Sequence, residues 1–251
     1  MIRIINLNQI KDAVEDYLLL DARPYIDYMS KGHIPGAVNA QVSRIMDVIT
    51  GAIKPIGELN AVFKQWGIDE DKPILIYDEY DGQLGARLAW TLDYCGHDKV
   101  FLVREFFSTY ANSGGQLSYK LEKATHEGNF KCRPNEGVRA TAEYVLSTLN
   151  SALIIDARSP EEFIGGNPEV PRPGHIPNAV NIPWLELLDP DGYRIVDLGL
   201  SRDKEIIVYC DYGLRASVVY SVLRHFNYKV RLYEKGYMEW GSNPNLPVVS
   251  G

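Results

Sequence analysis

The residues best suited to chemistry lie in one run, Ile206-Ile207-Val208-Tyr209-Cys210-Asp211-Tyr212-Gly213-Leu214-Arg215-Ala216-Ser217. A β-branched apolar stretch ends in a cysteine, and a short glycine-bearing loop follows. Leu214, Val218, Val219, Val222, Leu223 and Phe226 then recur at helical spacing. Sulfur placed there meets the N–H groups and the positive dipole end of a helix, with Arg215 close by. Such surroundings lower a thiol pKa, so Cys210 is expected to be a nucleophilic thiolate at neutral pH. Successive N–H groups from Asp211 to Arg215 would form a nest around it, with Gly213 taking the φ that a tight loop demands. A lone cysteine is ordinarily a buried core residue; the strand–cysteine–loop–helix order points instead to chemistry.

The elements that must carry this loop read as α/β. The apolar runs 74–77, 100–103, 206–209 and 230–233 alternate with helical patterns over 86–94 and 216–226. That alternation predicts parallel sheets with helices on both faces. With 251 residues, 45% of them hydrophobic, the chain can bury one large core or two small ones. A net charge of −7 argues against nucleic acid or an anionic membrane as partner. Three widely spaced cysteines, Cys95, Cys132 and Cys210, make a disulfide framework unexpected and a reducing cytoplasm the natural compartment. Neither a secretory leader at Met1-Ile2-Arg3-Ile4-Ile5-Asn6 nor a membrane span is expected.

The chain repeats itself. Leu18-Leu19-Leu20-Asp21-Ala22-Arg23 returns as Leu153-Ile154-Ile155-Asp156-Ala157-Arg158, and Gly32-His33-Ile34-Pro35-Gly36-Ala37-Val38-Asn39 returns as Gly174-His175-Ile176-Pro177-Asn178-Ala179-Val180-Asn181. Ile74-Leu75-Ile76-Tyr77-Asp78 matches Ile206-Ile207-Val208-Tyr209-Cys210. The expected division is a first domain over 1–125, a linker over 126–139 and a second domain over 140–251, with Thr141 as the N-cap of its first helix.

These motifs resemble the rhodanese fold: Asp-Ala-Arg ending a strand, Gly-His-Ile-Pro, and Tyr-Cys-x-x-Gly-x-Arg opening a helix. Two copies in one chain are similar to the tandem-domain sulfurtransferases, and the stretch from Asp156 to Trp184 resembles the thiosulfate type. The resemblance implies an enzyme that needs no metal or organic cofactor. Cys210 would take sulfur from a small donor such as thiosulfate, hold it as a persulfide, and pass it to cyanide or a thiol. Asp78 stands where the first half should have its cysteine, with Arg87 set against Arg215 across a longer loop and Phe106 in place of Gly236. The first half is therefore expected to be non-catalytic, with Asp78 a solvated or loop-capping carboxylate.

Two other classes compete. A phosphatase of this fold needs Cys-x5-Arg, whereas Cys210 to Arg215 is Cys-x4-Arg; a non-enzymatic regulatory module would lack the cysteine altogether. Within the sulfurtransferases, 3-mercaptopyruvate is the alternative donor. The loop Asp211-Tyr212-Gly213 lacks the Gly-Ser/Thr-Gly of those enzymes, and Glu162 stands where they place an arginine, so thiosulfate is favoured. Asp211 either opposes an anionic donor or points outward. The expected substrate-binding set is Asp211, Tyr212, Gly213, Leu214 and Arg215, with Arg172 and Lys235 as further cations. His33, His175, Asp21, Arg23, Asp156 and Arg158, being duplicated, are expected to be structural. Cys95 is expected in the core and Cys132 in the linker, where a surface thiol without chemistry is anticipated. Tyr237 and Trp240 either wall the pocket or pack in the core.

Overall fold

The computed structural model describes residues 2–9, 14–79 and 81–250; Met1, and Tyr80 in the first half's loop, lie outside them. The first half builds a five-stranded parallel sheet from β1 (Ile2–Ile5), β2 (Leu18–Asp21), β3 (Val38–Asn39), β4 (Ile74–Tyr77) and β5 (Val100–Val103). Its strand order is β1-β5-β4-β2-β3. Helices α1 (Tyr25–Ser30), α2 (Ile56–Gln65), α3 (Gln83–Tyr94) and α4 (Phe107–Asn112) complete it. In the second half, β6 (Leu153–Asp156), β7 (Val180–Asn181), β10 (Ile206–Tyr209) and β11 (Val230–Tyr233) pair as β11-β10-β6-β7, again parallel. A small antiparallel hairpin, β8 (Leu188–Asp189) and β9 (Gly192–Tyr193), stands apart. The helices here are α5 (Ala142–Thr148), α6 (Pro160–Phe163), α7 (Leu214–His225) and α8 (Gly236–Ser242).

The four strongest apolar runs form strands with the expected bounds, because a fully buried parallel strand needs no polar face. The order of elements repeats as the sequence does. Where β1 flanks β5 in the first sheet, only a single bridge, Arg139 to Leu232, flanks β11 in the second. Thr141 caps α5 by accepting the Tyr144 N–H at 3.3 Å.

The two halves share one core. Helices α3 and α7, which follow the equivalent central strands β4 and β10, pack against each other. Leu88, Ala89, Trp90, Val218, Val219 and Tyr220 belong to the same buried cluster. Such a position buries the helix on every side: α3 is buried from Gly85 to Tyr94, including the polar Arg87, Thr91 and Asp93. Polar ties close the seam: Asp93 of α3 takes the Tyr220 hydroxyl at 2.7 Å and the Arg224 guanidinium at 2.8 Å.

Each half also lends a loop to the other. The Phe106 N–H donates to the Asp191 carbonyl at 2.9 Å, beside the β8–β9 hairpin. In return Gly51 of the first half lies against the Tyr212 and Glu234 carbonyls, so closely that a methyl there would sit 2.7 Å from both.

The segment after the first domain is not a free linker. Cys132 is bonded to Cys95, and both are buried. This corrects the expectation of unpaired thiols. The chain is steered back over the end of α3 by bonds from the Arg133 N–H to the Cys95 carbonyl at 2.9 Å and from the Asn135 N–H to the Tyr94 carbonyl at 2.7 Å. The Cys132 N–H also donates to Asn60 at 2.8 Å. Pairing depends on that return path, which cysteine spacing alone does not reveal.

Candidate active site

Cys210 sits one residue beyond β10, 1% exposed, and the only free cysteine among the described residues. The Gly213 N–H donates to its sulfur at 3.1 Å. The N–H groups of Ala216 and Tyr212 also favour the thiolate. Gly213 has φ 77° and forms the N-cap of α7, so the loop's nest and the helix start coincide. The far side of the loop is fixed by the Tyr237 N–H, which donates to the Cys210 carbonyl at 2.7 Å. Gly236 is needed there, since a methyl on it would lie 2.0 Å from that carbonyl oxygen.

Burial changes the expected electrostatics. Desolvation pushes the Cys210 thiol above its ordinary pKa, against the pull of Arg215 and the backbone N–H groups, with Asp211 adding to the rise. The expectation of a lowered pKa is corrected on that ground: a nest around a solvent-free sulfur offsets only part of the cost of charging it.

Arg215 is held between two carboxylates. Its guanidinium contacts Glu162 at 2.7 and 3.0 Å and Asp211 at 2.6 Å. Glu162 is positioned by a capping box, in which Ser159 accepts the Glu162 N–H and Glu162 accepts the Ser159 N–H. Glu162 therefore does not stand free to repel a substrate carboxylate, as the sequence reading had it; it anchors Arg215, which holds its carboxyl well below the usual range. Asp211 faces inward, 3.6 Å from Arg158 as well, and burial followed by repulsion from Glu162 raises its pKa to about 6.

Beneath the loop, Arg158 grips Asp156 through two nitrogens, at 3.0 and 2.6 Å, and the Tyr209 hydroxyl donates to Asp156 at 2.6 Å. Arg23 grips Asp21 in the same way in the first half. The histidines serve the fold: His33 stacks on Tyr28 and His175 on Phe163, each pair at 3.8 Å, and each Nδ1 lies at a backbone carbonyl. Tyr237 and Trp240 are fully buried and pack in the core of the second half.

Two expected substrate cations have partners within the fold. Arg172 spends its guanidinium on the carbonyls of Trp240, Gly241, Asn243 and Leu246, binding the end of α8 and the chain after it. Lys235 pairs with Glu239 one turn along α8, at 2.7 Å. Helix geometry aims it along α8. Leu214 opens α7 and borders a cavity of about 250 Å3 between the halves, which Arg23, Met46 and Leu84 also line.

The first half's equivalent site is sealed. The Phe107 N–H donates to the Asp78 carbonyl at 2.9 Å, as Tyr237 does to Cys210, so Asp78 occupies the cysteine position. Its carboxylate caps the loop by accepting the Gly85 and Glu79 N–H groups at 2.7 and 2.8 Å, and burial raises its pKa to about 7. It is capping and buried rather than solvated. The two helices align through their left-handed N-cap glycines, Gly82 and Gly213. That register sets Leu84 opposite Arg215 and moves Arg87 one turn into α3. The earlier matching of Arg87 with Arg215 is thereby corrected.

Comparison with known proteins agrees with this geometry. The Rhodanese-like domain model matches twice, over residues 6–113 and 141–243. The chain is 28% identical to a thiosulfate sulfurtransferase of Azotobacter vinelandii, over 96% of this chain and 93% of that protein. It is 32% identical to the 3-mercaptopyruvate sulfurtransferase of Escherichia coli, over 98% and 92%. The crystal structure of SseA from Escherichia coli, described as a 3-mercaptopyruvate sulfotransferase, superposes with a TM-score of 0.79 at 26% identity, covering 94% of this chain and 99% of that one. No helix among the described residues is long and apolar enough to cross a membrane. With two matching domains, each built on the same parallel sheet, this chain belongs to the rhodanese family as a tandem-domain sulfurtransferase.

Proposed function

We propose that the protein transfers sulfane sulfur from thiosulfate to cyanide or a small thiol through a persulfide on Cys210, and that only the second half is catalytic. One observation carries the reading: Cys210 is the sole free thiol among the described residues, and a backbone N–H meets its sulfur at 3.1 Å. The Cys210 thiolate attacks the outer sulfur of thiosulfate. A new S–S bond forms while the old one breaks, and sulfite leaves with its electron pair. The acceptor then attacks the terminal sulfur and returns the thiolate, so no net oxidation occurs and no cofactor is needed. The N–H groups of the nest hold negative charge at each stage without reorganising.

Thiosulfate is favoured over 3-mercaptopyruvate because the arginines around the loop are already engaged. Arg172 holds carbonyls, Arg158 holds Asp156, and Arg215 holds Glu162 and Asp211, so each of these three is already committed within the fold and is poorly placed to clamp a substrate carboxylate through both of its oxygens. A thiol that must be regenerated at each turnover suits a reducing compartment, although the Cys95–Cys132 bond removes the lack of disulfides as an argument for one. The net charge of −7 offers no footing for nucleic acid.

Two measurements decide. Incubation with thiosulfate should add one sulfur to the protein, removable by cyanide and absent in Cys210→Ser. Steady-state kinetics should give the higher kcat/KM with thiosulfate. Normal turnover by Cys210→Ser overturns the nucleophile, and a higher kcat/KM with 3-mercaptopyruvate overturns the donor alone.

A further inference from the structure

The half whose loop has Asp78 in place of a cysteine sends an arginine to the loop that has one. Arg87, on α3, is fully buried and reaches across the domain seam. Its Nη2 donates to the Gly51 carbonyl at 2.7 Å, and Gly51 in turn rests on the Tyr212 and Glu234 carbonyls. Its Nη1 lies so near Gly213 that a methyl on that glycine would be 2.5 Å away. The face of the guanidinium stacks over Trp90, 4.7 Å from the ring centroid. Nε and Nη1 find no hydrogen-bond acceptor among the described residues.

A fully buried cation with two unanswered nitrogens calls for a compensating charge. The charged groups around the loop can be followed element by element. From α7 and its loop come Arg215 and Asp211, and from α6 Glu162; the single cation is matched by two carboxylates. From β6 and the residues after it come Asp156 and Arg158, paired with each other at 2.6 Å. After β11 stands Glu234, 1% exposed, which is matched by Arg139 at 2.6 Å. Arg87 therefore offsets the second carboxylate of the Arg215 cluster, and without it the loop carries a net buried negative charge. Arg215 pulls harder on the thiolate than any other side chain, but Asp211 opposes it from the same loop. Burial drives the Arg87 pKa down to about 10, and the charges of Glu234 and Cys210 draw it back up.

We infer that Arg87 is a positioning residue for sulfur transfer: from the non-catalytic half it supplies a buried positive charge that favours the Cys210 thiolate by offsetting the carboxylates around the loop, and it fixes the catalytic loop through Gly51 and Gly213. This gives the first half a function in the reaction besides packing. Without Arg87, the loop would carry an excess of buried negative charge even before Cys210 ionises, and a thiolate would add to it. The inference rests on the reading of Cys210 as the nucleophile.

The test is the pH dependence of Cys210 alkylation by iodoacetamide, which reads the thiolate without any sulfur donor. In Arg87→Met the midpoint should move up and the rate at pH 7 should fall about ten-fold, the effect of one pH unit. Arg87→Lys should restore most of that loss. Glu234→Gln, which unpairs Arg139 and removes a buried negative charge beside Arg87, should move the midpoint down. An unmoved midpoint in folded Arg87→Met overturns the inference, as does a lysine variant no better than methionine. Should Arg87→Met not fold, an unmoved or raised midpoint in Glu234→Gln overturns it instead. Normal turnover by Cys210→Ser would remove the nucleophile reading while leaving any alkylation shift standing, so the two failures are distinguishable.

Discussion

Replacing Gly213 by alanine probes the point where the two halves meet at the sulfur. Gly213 has φ 77°, the left-handed region, where an L side chain costs about 1–2 kcal/mol. The new methyl would also lie 2.5 Å from Arg87 Nη1, 2.6 Å from the Glu234 carbonyl oxygen and 2.9 Å from the Glu234 Cα. A guanidinium tip can swing aside, but the backbone of Glu234 is continuous with Gly236, whose close fit holds the Cys210 carbonyl. Overpacking against such a neighbour adds about 1–3 kcal/mol, for a total of about 2–5 kcal/mol. Gly114 provides the control: its φ is 84°, and nothing lies within 4 Å of an added methyl. Gly114→Ala should therefore lose only the backbone cost of about 1–2 kcal/mol. Urea unfolding followed by tryptophan fluorescence gives both losses from the midpoint and slope. Because one core cluster runs through both halves, a single transition is expected. Equal losses in the two variants would refute the contact argument, and with it the claim that the seam is closed tightly around the loop.

Two further outcomes follow from the structure. Asp78 holds its proton to about pH 7 in the folded protein but to about 3.8 when unfolded, so its contribution to stability falls as pH rises through that window, by about 4 kcal/mol at most. Asp78→Asn cannot ionise, so its thermal midpoint should gain on the parent's between pH 4 and pH 8, and parallel curves would show that Asp78 titrates normally. Thiol titration of the denatured chain should give one thiol without reductant and three after reduction; three at the outset would remove the Cys95–Cys132 bond.

Much of the fold was legible in the sequence because it rests on local patterns. Continuous β-branched runs specify buried parallel strands, and the four strongest took their expected bounds. Gly213 and Thr141 mark helix starts through rules that span a few residues. Ser159 and Glu162 carry the spacing of a capping box, a signal that could have placed Glu162 at the head of α6 beforehand. The repeat made Asp78 recognisable as the counterpart of Cys210, since equivalent strands end in each.

What the tertiary structure alone decided concerns charge and access. The sequence puts Arg215 five residues from Cys210 but does not show that Glu162 and Asp211 share it. Arg172 looks like a free cation until the end of α8 and the residues after it present it with four carbonyls. Cys95 and Cys132 meet only because the segment between the domains turns back over α3. The direction of the Cys210 pKa depends on desolvation, and the charge balance around its loop is set by Arg87, Arg139 and Glu234. Periodicity and capping act over one or two turns and are written in neighbouring residues. Burial and electrostatic balance are sums over every group that folding brings near, whatever its distance along the chain.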